Sequence, residues 1–408
     1  MSTDHPSDSS AESVSLSAVA RLFGLLGLTS FGGPTAHIGY LRRAVVTERR
    51  WVAPERFESL VALCQFLPGP ASSQLVYALG RELAGHRGAW LASACFTLPS
   101  ALLMTLAALP VSRQWMDGAY LGPWRHGLLV AACAVVGHAV WSMARSLGRS
   151  GVRGAIAALA LLTTLRVASP LAQPLVIAAG ALIGTLMLRI GGDARAMDRR
   201  NGNDRSASNG LLLVLSVPLL GLILTVAASH WPDRATTLAA AFYRAGALVF
   251  GGGHVVLPLL REAVVTPGWL SPATFLTGYA LAQLVPGPLF TLAANLGTAC
   301  GTSGAAPALG MLALLALFLP GWLLVAGALP WWSNLQQWPW ARGAVSGAGA
   351  AVVGVLTAAL LGPVAHEALH DATDLVCAFI AFGLLIPGRL PMPLVVLATT
   401  VACGWMSR

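Results

Sequence analysis

Phe31-Gly32-Gly33-Pro34, followed by Pro68-Gly69-Pro70, returns in the second half of the chain as Phe250-Gly251-Gly252-Gly253, followed by Pro286-Gly287-Pro288. All four tracts lie in stretches apolar enough to enter a bilayer. Glycine and proline interrupt a helix there and release backbone N–H and C=O groups. Lipid cannot solvate those groups, so they must face protein, water or a bound solute. A duplicated interruption is the pattern of a membrane carrier built from two repeats, with its site at broken helices.

The duplication extends outward from these tracts. Arg42 matches Arg261, and Ala44-Val45-Val46-Thr47 matches Ala263-Val264-Val265-Thr266. After a one-residue gap, Trp51, Pro54, Phe57 and Gln65 match Trp269, Pro272, Phe275 and Gln283. Similarity fades beyond residue 85, where Pro99 and Pro320 are the remaining candidate pair.

Composition agrees with a membrane protein. Of 408 residues, 56% are hydrophobic and 10% charged, against about 25% charged in soluble domains. A span takes about 20 apolar residues, which predicts an all-α polytopic protein of about 12 to 13 spans. The chain divides into a tail at 1–15, a first repeat at 16–190, a polar linker with one added span at 191–234, and a second repeat at 235–408. The added span, near 210–229, makes the two repeats opposite in topology. Arginine placement favours a cytoplasmic N-terminus, although the Arg42–Arg56 loop then falls on the opposite side. Trp331, Trp332, Trp338 and Trp340 read as an interfacial belt.

Every basic residue is arginine, which excludes lysine Schiff-base chemistry. The net charge of +9 suits anion handling and equally suits loops beside anionic headgroups. Neither a nucleotide-binding motif nor a CxxC pair occurs, so no cofactor and no metal is expected, and no nucleic-acid partner is implied. The oligomeric state stays open, a homodimer included. The tail at 1–15 lacks the basic start of a cleaved signal peptide.

The candidate site follows from helix physics. A helix N-terminus presents free N–H groups and a partial positive charge, and proline is tolerated in its first turn. Pro34 opens one half-helix, turning Thr35 and its neighbours toward the break. Pro70 opens another, leaving Ser72 and Ser73 as donors. Such ends bind anions. The set predicted to contact solute is Gly32, Gly33, Pro34, Thr35, Gln65, Pro68, Gly69, Pro70, Ser72 and Ser73 in the first repeat. In the second it is Gly251, Gly252, Gly253, His254, Gln283, Pro286, Gly287, Pro288, Thr291 and Asn295. The alternative for the glycines is close helix packing, and for Gln65 and Gln283 the tethering of broken backbone. His37 and His254 are candidates for proton coupling, or neutral rings bonded to backbone. Arg42 and Arg261 are candidates for anion steering, or side chains reaching headgroups. Glu82, beside Arg81, and Glu262, beside Arg261, read as local ion pairs.

The stretches Phe31-Gly-Gly-Pro-Thr-Ala-His-Ile-Gly-Tyr40 and Leu60-Val-Ala-Leu-Cys-Gln-Phe-Leu-Pro-Gly-Pro-Ala-Ser-Ser-Gln74 resemble the signature of the chromate ion transporter family. The second half is similar to that family's second domain, through Phe250 to Leu260 and Ala282 to Phe290. The resemblance implies the long, two-domain form. It also implies export of chromate across the bacterial inner membrane, with chromate resistance as the outcome and sulfate as the expected competitor. Cys64, beside Gln65, is expected to turn its oxidisable sulfur away from the path. The rivals are a carrier for sulfate or another oxyanion, and a membrane zinc protease. The latter would use His366-Glu367-Ala368-Leu369-His370, which fits the H-E-x-x-H pattern of two histidines one helical turn apart.

Overall fold

The computed structural model describes residues 14–109, 122–148, 150–167, 172–187, 204–250, 256–301, 303–332, 338–386 and 390–406, and among these the secondary structure is helical with no strand. The first repeat comprises α1 (Leu16–Thr29), α2 (Gly33–Arg42), α3 (Pro54–Phe66), α4 (Ala71–Ala108), α5 (Gly122–Ser146), α6 (Gly151–Arg166) and α7 (Ala172–Met187). A single helix, α8 (Asp204–His230), follows. The second repeat comprises α9 (Arg234–Ala247), α10 (Val256–Val264), α11 (Pro272–Leu284), α12 (Leu292–Ala299), α13 (Ala306–Ala328), α14 (Pro339–Ala359), α15 (Ala372–Leu385) and α16 (Met392–Met406). Helices of sufficient length and apolarity to cross a membrane cover Ala71–Ala108, Trp124–Arg145, Asn209–His230, Ala306–Trp331 and Trp340–Ala368.

Local chemistry starts and stops these helices. The Ser15 side chain caps α1 by accepting from the Ala18 N–H, and Asp233 caps α9 by accepting from the Ala235 and Thr236 N–H groups. Pro54 and Pro272, matched in sequence, each occupy the first turn of the matched helices α3 and α11, where a missing N–H costs nothing. Helices α3 and α11 have 13 residues each. That length rises about 20 Å, short of the roughly 30 Å hydrocarbon layer. They are half-spans.

Helix α4 is two antiparallel limbs. Ala84 (φ −144°, ψ 29°) and Gly85 (φ 63°, ψ −156°) break it. The limbs then close on one another: a Cβ on Gly80 would lie 2.5 Å from the Gly88 carbonyl oxygen, and Tyr77 meets Trp90 edge-on at 5.4 Å. In the second repeat α12 and α13 close in the same way, Gly297 lying against the Leu309 carbonyl and Gly310.

The repeats share local contacts. In the loop after α2, the Trp51 and Val52 N–H groups both donate to the Val45 carbonyl; after α10, Trp269 and Leu270 donate to Val264 in the same way. The left-handed position in that loop is Arg50 (φ 54°) in one repeat and Gly268 (φ 76°) in the other. Gly27 of α1 packs on the Phe96 carbonyl of α4, and Gly246 of α9 packs on the Leu317 carbonyl of α13. Phe96 and Leu317 stand three residues before Pro99 and Pro320, so these prolines are true counterparts although the surrounding sequence has diverged.

The two repeats interlock. Helix α5 of the first packs on α15 and α16 of the second, while α14 of the second packs on α6 and α7 of the first. Small residues permit the latter contact: Gly180, Gly184 and Gly347 place backbone against backbone. Helix α8 touches mainly α9 and α13, and only 6% of its apolar window is buried. Leu212, Leu219 and Leu222 on it are exposed, as a lipid-facing span requires.

Two expectations are corrected. Trp332 does not join an interfacial belt: it is buried and its indole N–H donates to Ser59 Oγ at 3.1 Å, tying the end of α13 to α3. Trp338 and Trp340 are exposed and stack at 5.4 Å. Glu82 pairs with Arg56, through contacts of 2.8 and 3.1 Å, and not with Arg81, whose guanidinium donates to the Ala326 carbonyl at 3.0 Å.

Candidate functional site

The Pro-Gly-Pro tract of each repeat meets the glycine break of the other. The Gly69 N–H donates to the Val249 carbonyl at 2.7 Å, and the Gly287 N–H donates to the Ser30 carbonyl at 2.7 Å. Val249 and Ser30 are the residues immediately before Phe250 and Phe31, so the two bonds are symmetry mates. Each closes an otherwise open backbone group within the membrane region, where an unmade bond costs about 1–3 kcal/mol.

Glycine is required on the donor side. Gly69 (φ 126°) and Gly287 (φ 99°) lie in the left-handed region. A Cβ on Gly69 would meet Gln74 Nε2 at 2.7 Å and Gly321 Cα at 3.0 Å; on Gly287 it would meet Ser100 Oγ at 2.7 Å. Ser100 and Gly321 follow Pro99 and Pro320, so the crowding is symmetric as well. Gln74 was absent from the sequence-derived set. It is fully buried, and its amide donates to the Pro68 carbonyl at 2.8 Å and the Gly321 carbonyl at 3.2 Å, fastening the first crossing. Its counterpart in the second repeat is Leu292, so the sequence repeat carried no sign of it.

The half-helix starts are close to those expected. Gly32 (φ 99°) caps α2, with Gly33 first and Pro34 second in the helix. Pro70 caps α4, and its carbonyl accepts the first helical bond, from Gln74. Ser72 and Ser73 are both buried at this start, and Ser73 Oγ has no partner among the described residues. The second repeat starts more tightly, with a 3₁₀ turn over Leu289–Thr291 capped by Pro288 and preceded by Pro286. The Thr291 hydroxyl donates back to the Pro288 carbonyl at 2.9 Å. Asn295 donates to the Met104 carbonyl of α4 at 3.0 Å, so its amide serves the packing of α12 on α4. The Thr35 side chain and Gly251, Gly252, Gly253 and His254 lie outside the described residues.

The matched glutamines diverge. Gln283 is buried and its Nε2 has no partner, whereas Gln65 is exposed. Helix α11 is covered by α5 and α16, while α3 rests chiefly on α4 alone, which accounts for the difference. His37 is 1% exposed, edge-on to Phe96 at 5.5 Å. Neither ring nitrogen meets a partner at full hydrogen-bond geometry, and the Ser30 backbone is near enough to interact with the ring. Cys64 is buried in the main core.

Arg42 pairs with Glu58 at 3.3 Å on the exposed side. Arg261, half-buried beside Glu262 and near Glu367, lines a cavity of ≈ 350 Å³ with Thr164, Gln173 and Pro258. Glu262 accepts from the Thr266 hydroxyl at 3.0 Å. A second cavity, of ≈ 610 Å³, is lined by Arg81, His86 and Asn209.

The protease arrangement fails on geometry. The helix carrying His366 and Glu367 ends at Ala368, and Leu369 is extended (φ −115°, ψ 102°). His370 is therefore not one helical turn from His366 and turns to other partners.

Half-helices from two repeats meeting within a bundle of apolar spans are the architecture of a membrane transport protein. The family model described as "Chromate transporter" matches residues 17–185 and again 236–405. The chain is 27% identical to a probable chromate transport protein of Synechococcus elongatus, over 95% of both chains. It is 27% identical to a chromate transport protein of Cupriavidus metallidurans, over 95% of this chain and 92% of that one. Against a chromate transport protein of Pseudomonas aeruginosa the identity is 28%, over 93% of this chain and 89% of the other. No solved structure matches the chain. The chain belongs to the chromate transporter family.

Proposed function

We propose that this protein exports chromate across the bacterial inner membrane and thereby confers chromate resistance, with sulfate as a competitor. The solute occupies the crossing of the four broken segments. The observation that carries the site is the reciprocal pair of bonds, Gly69 to Val249 and Gly287 to Ser30, with buried polar groups beside it that lack partners. Ser73 Oγ, Gln283 Nε2 and the His37 ring are such groups. Buried polar atoms are seldom left unpaired, and a site that empties and fills is one reason for leaving them so. The donors are hydroxyl, amide and backbone N–H, with no carboxylate among them, which suits a tetrahedral dianion. Arg42 and Arg261 draw the anion toward the crossing.

Voltage alone can drive export. One charge crossing 100 mV is worth about 2.3 kcal/mol, so a dianion leaving a negative interior gains about twice that, roughly a 2,000-fold gradient. Uptake of radiolabelled chromate and sulfate into inside-out vesicles tests the reading. Chromate accumulation slowed by excess sulfate is expected; accumulation of sulfate with none of chromate would reassign the substrate. Leucine at Gly32, Gly251 or Pro286 should abolish accumulation while the protein still inserts. Normal accumulation in those variants would remove the crossing from the path.

A further inference from the structure

We propose that His126, His370 and Asp374 form a binding site for a divalent transition-metal ion of the zinc class. His126 lies in the first turns of α5, in the first repeat, while His370 and Asp374 stand at the start of α15, in the second. One ligand atom from each lies within 4.8 Å of the other two. His126 Nε2 is 2.7 Å from Asp374 Oδ1, and the two imidazoles stack with centroids 5.3 Å apart and planes 19° from parallel.

The remaining steps are small. Ligand bonds of about 2.0–2.1 Å in a tetrahedral site put neighbouring ligand atoms roughly 3.3 Å apart. The His370 side chain is exposed and can rotate inward by the ångström or so required. The ion takes the place of the proton between His126 Nε2 and Asp374 Oδ1, that proton passing to solvent or to His126 Nδ1, and water completes the fourth position from the open side. The carboxylate is already oriented: the His370 backbone N–H donates to Asp374 Oδ2 at 2.9 Å, and the Asp374 N–H donates to Asp371 Oδ1 at 2.8 Å. Supporting bonds of this kind raise metal affinity. Two imidazoles and one carboxylate select a borderline ion such as zinc, whereas calcium and magnesium take oxygen ligands. His366 and Glu367 stay outside the cluster, so the glutamate of the H-E-x-x-H pattern is not among its ligands. A bound ion joins α5 to α15, and so fastens one repeat to the other.

The test uses the full-length protein in detergent, its affinity tag removed and its metals stripped with chelator. Zinc is titrated by calorimetry and cobalt by visible absorption. One ion per chain and a four-coordinate cobalt spectrum are expected. His126→Ala and His370→Ala should each weaken binding at least about tenfold, while His366→Ala and Glu367→Gln leave it unchanged. Because the His370 ring is exposed, that variant stays folded even if His126→Ala does not. Zinc affinity that survives His370→Ala, or weakens equally in His366→Ala, overturns the proposal.

Discussion

Gly287 illustrates how much rests on single backbone protons. Its N–H bond to Ser30 needs φ near +99°, and a methyl group there would meet Ser100 Oγ and approach the Gly27 carbonyl. Gly287→Ala is expected to cost about 1–3 kcal/mol from backbone strain alone and to eliminate chromate flux; a thermal melt and vesicle uptake measure the two. Gln283 should behave differently. Its buried Nε2 bonds to nothing described, so Gln283→Leu should leave the melting temperature unchanged or raised while flux falls several-fold. Equal losses of stability and flux would make the amide structural. Arg50 occupies a left-handed position that its counterpart fills with Gly268. Arg50→Gly should therefore stabilise by about 0.5–1 kcal/mol net, the relief of Cβ crowding exceeding the entropy lost by glycine, and a melt reads this directly.

At the scale of helices, two kinds of contact divide the work. Within a repeat, α1 lies on α4 and α9 on α13 through Gly27 and Gly246, which set backbone against backbone. Larger side chains at either position force these helices apart. Helix α8 is governed by lipid instead. Leu219 lies at its midpoint and is exposed, so Leu219→Arg should add about 2.5–3.5 kcal/mol to insertion. Membrane-fraction yield would fall sharply, while Leu219→Ala leaves yield and flux near normal. Glycine and proline made the half-helices legible in the sequence because they act locally. The break of α4 at Ala84 and Gly85 was legible as a boundary between two spans, because Arg81, Glu82, His86 and Arg87 interrupt the apolar run there; that the second limb folds back along the first is shown only by Gly80, Gly88 and the Tyr77–Trp90 pair.

At the scale of the molecule, neither repeat is self-sufficient. Helix α5 completes the second repeat and α14 completes the first. A chain divided within the linker near residue 200 should assemble when both halves are expressed together and aggregate when either is expressed alone, as co-purification would reveal. The crossing of breaks likewise requires both halves. If the transported species carries two charges uncompensated, the limiting gradient should change tenfold for about every 30 mV imposed. Vesicles clamped with potassium and valinomycin would give that slope, and a voltage-independent limit would point to exchange or proton coupling.

The amino-acid order determined the membrane character, the duplication and the four places where helices must stop, because apolar length, spacing and the geometry of glycine and proline are properties of the chain itself. It did not determine which break would meet which. Pairing Gly69 with Val249, Gly287 with Ser30, Asn295 with Met104 and His126 with Asp374 depends on how two opposed repeats interlock. Those partners stand between 180 and 257 positions apart, and only packing of the whole bundle brings them within reach.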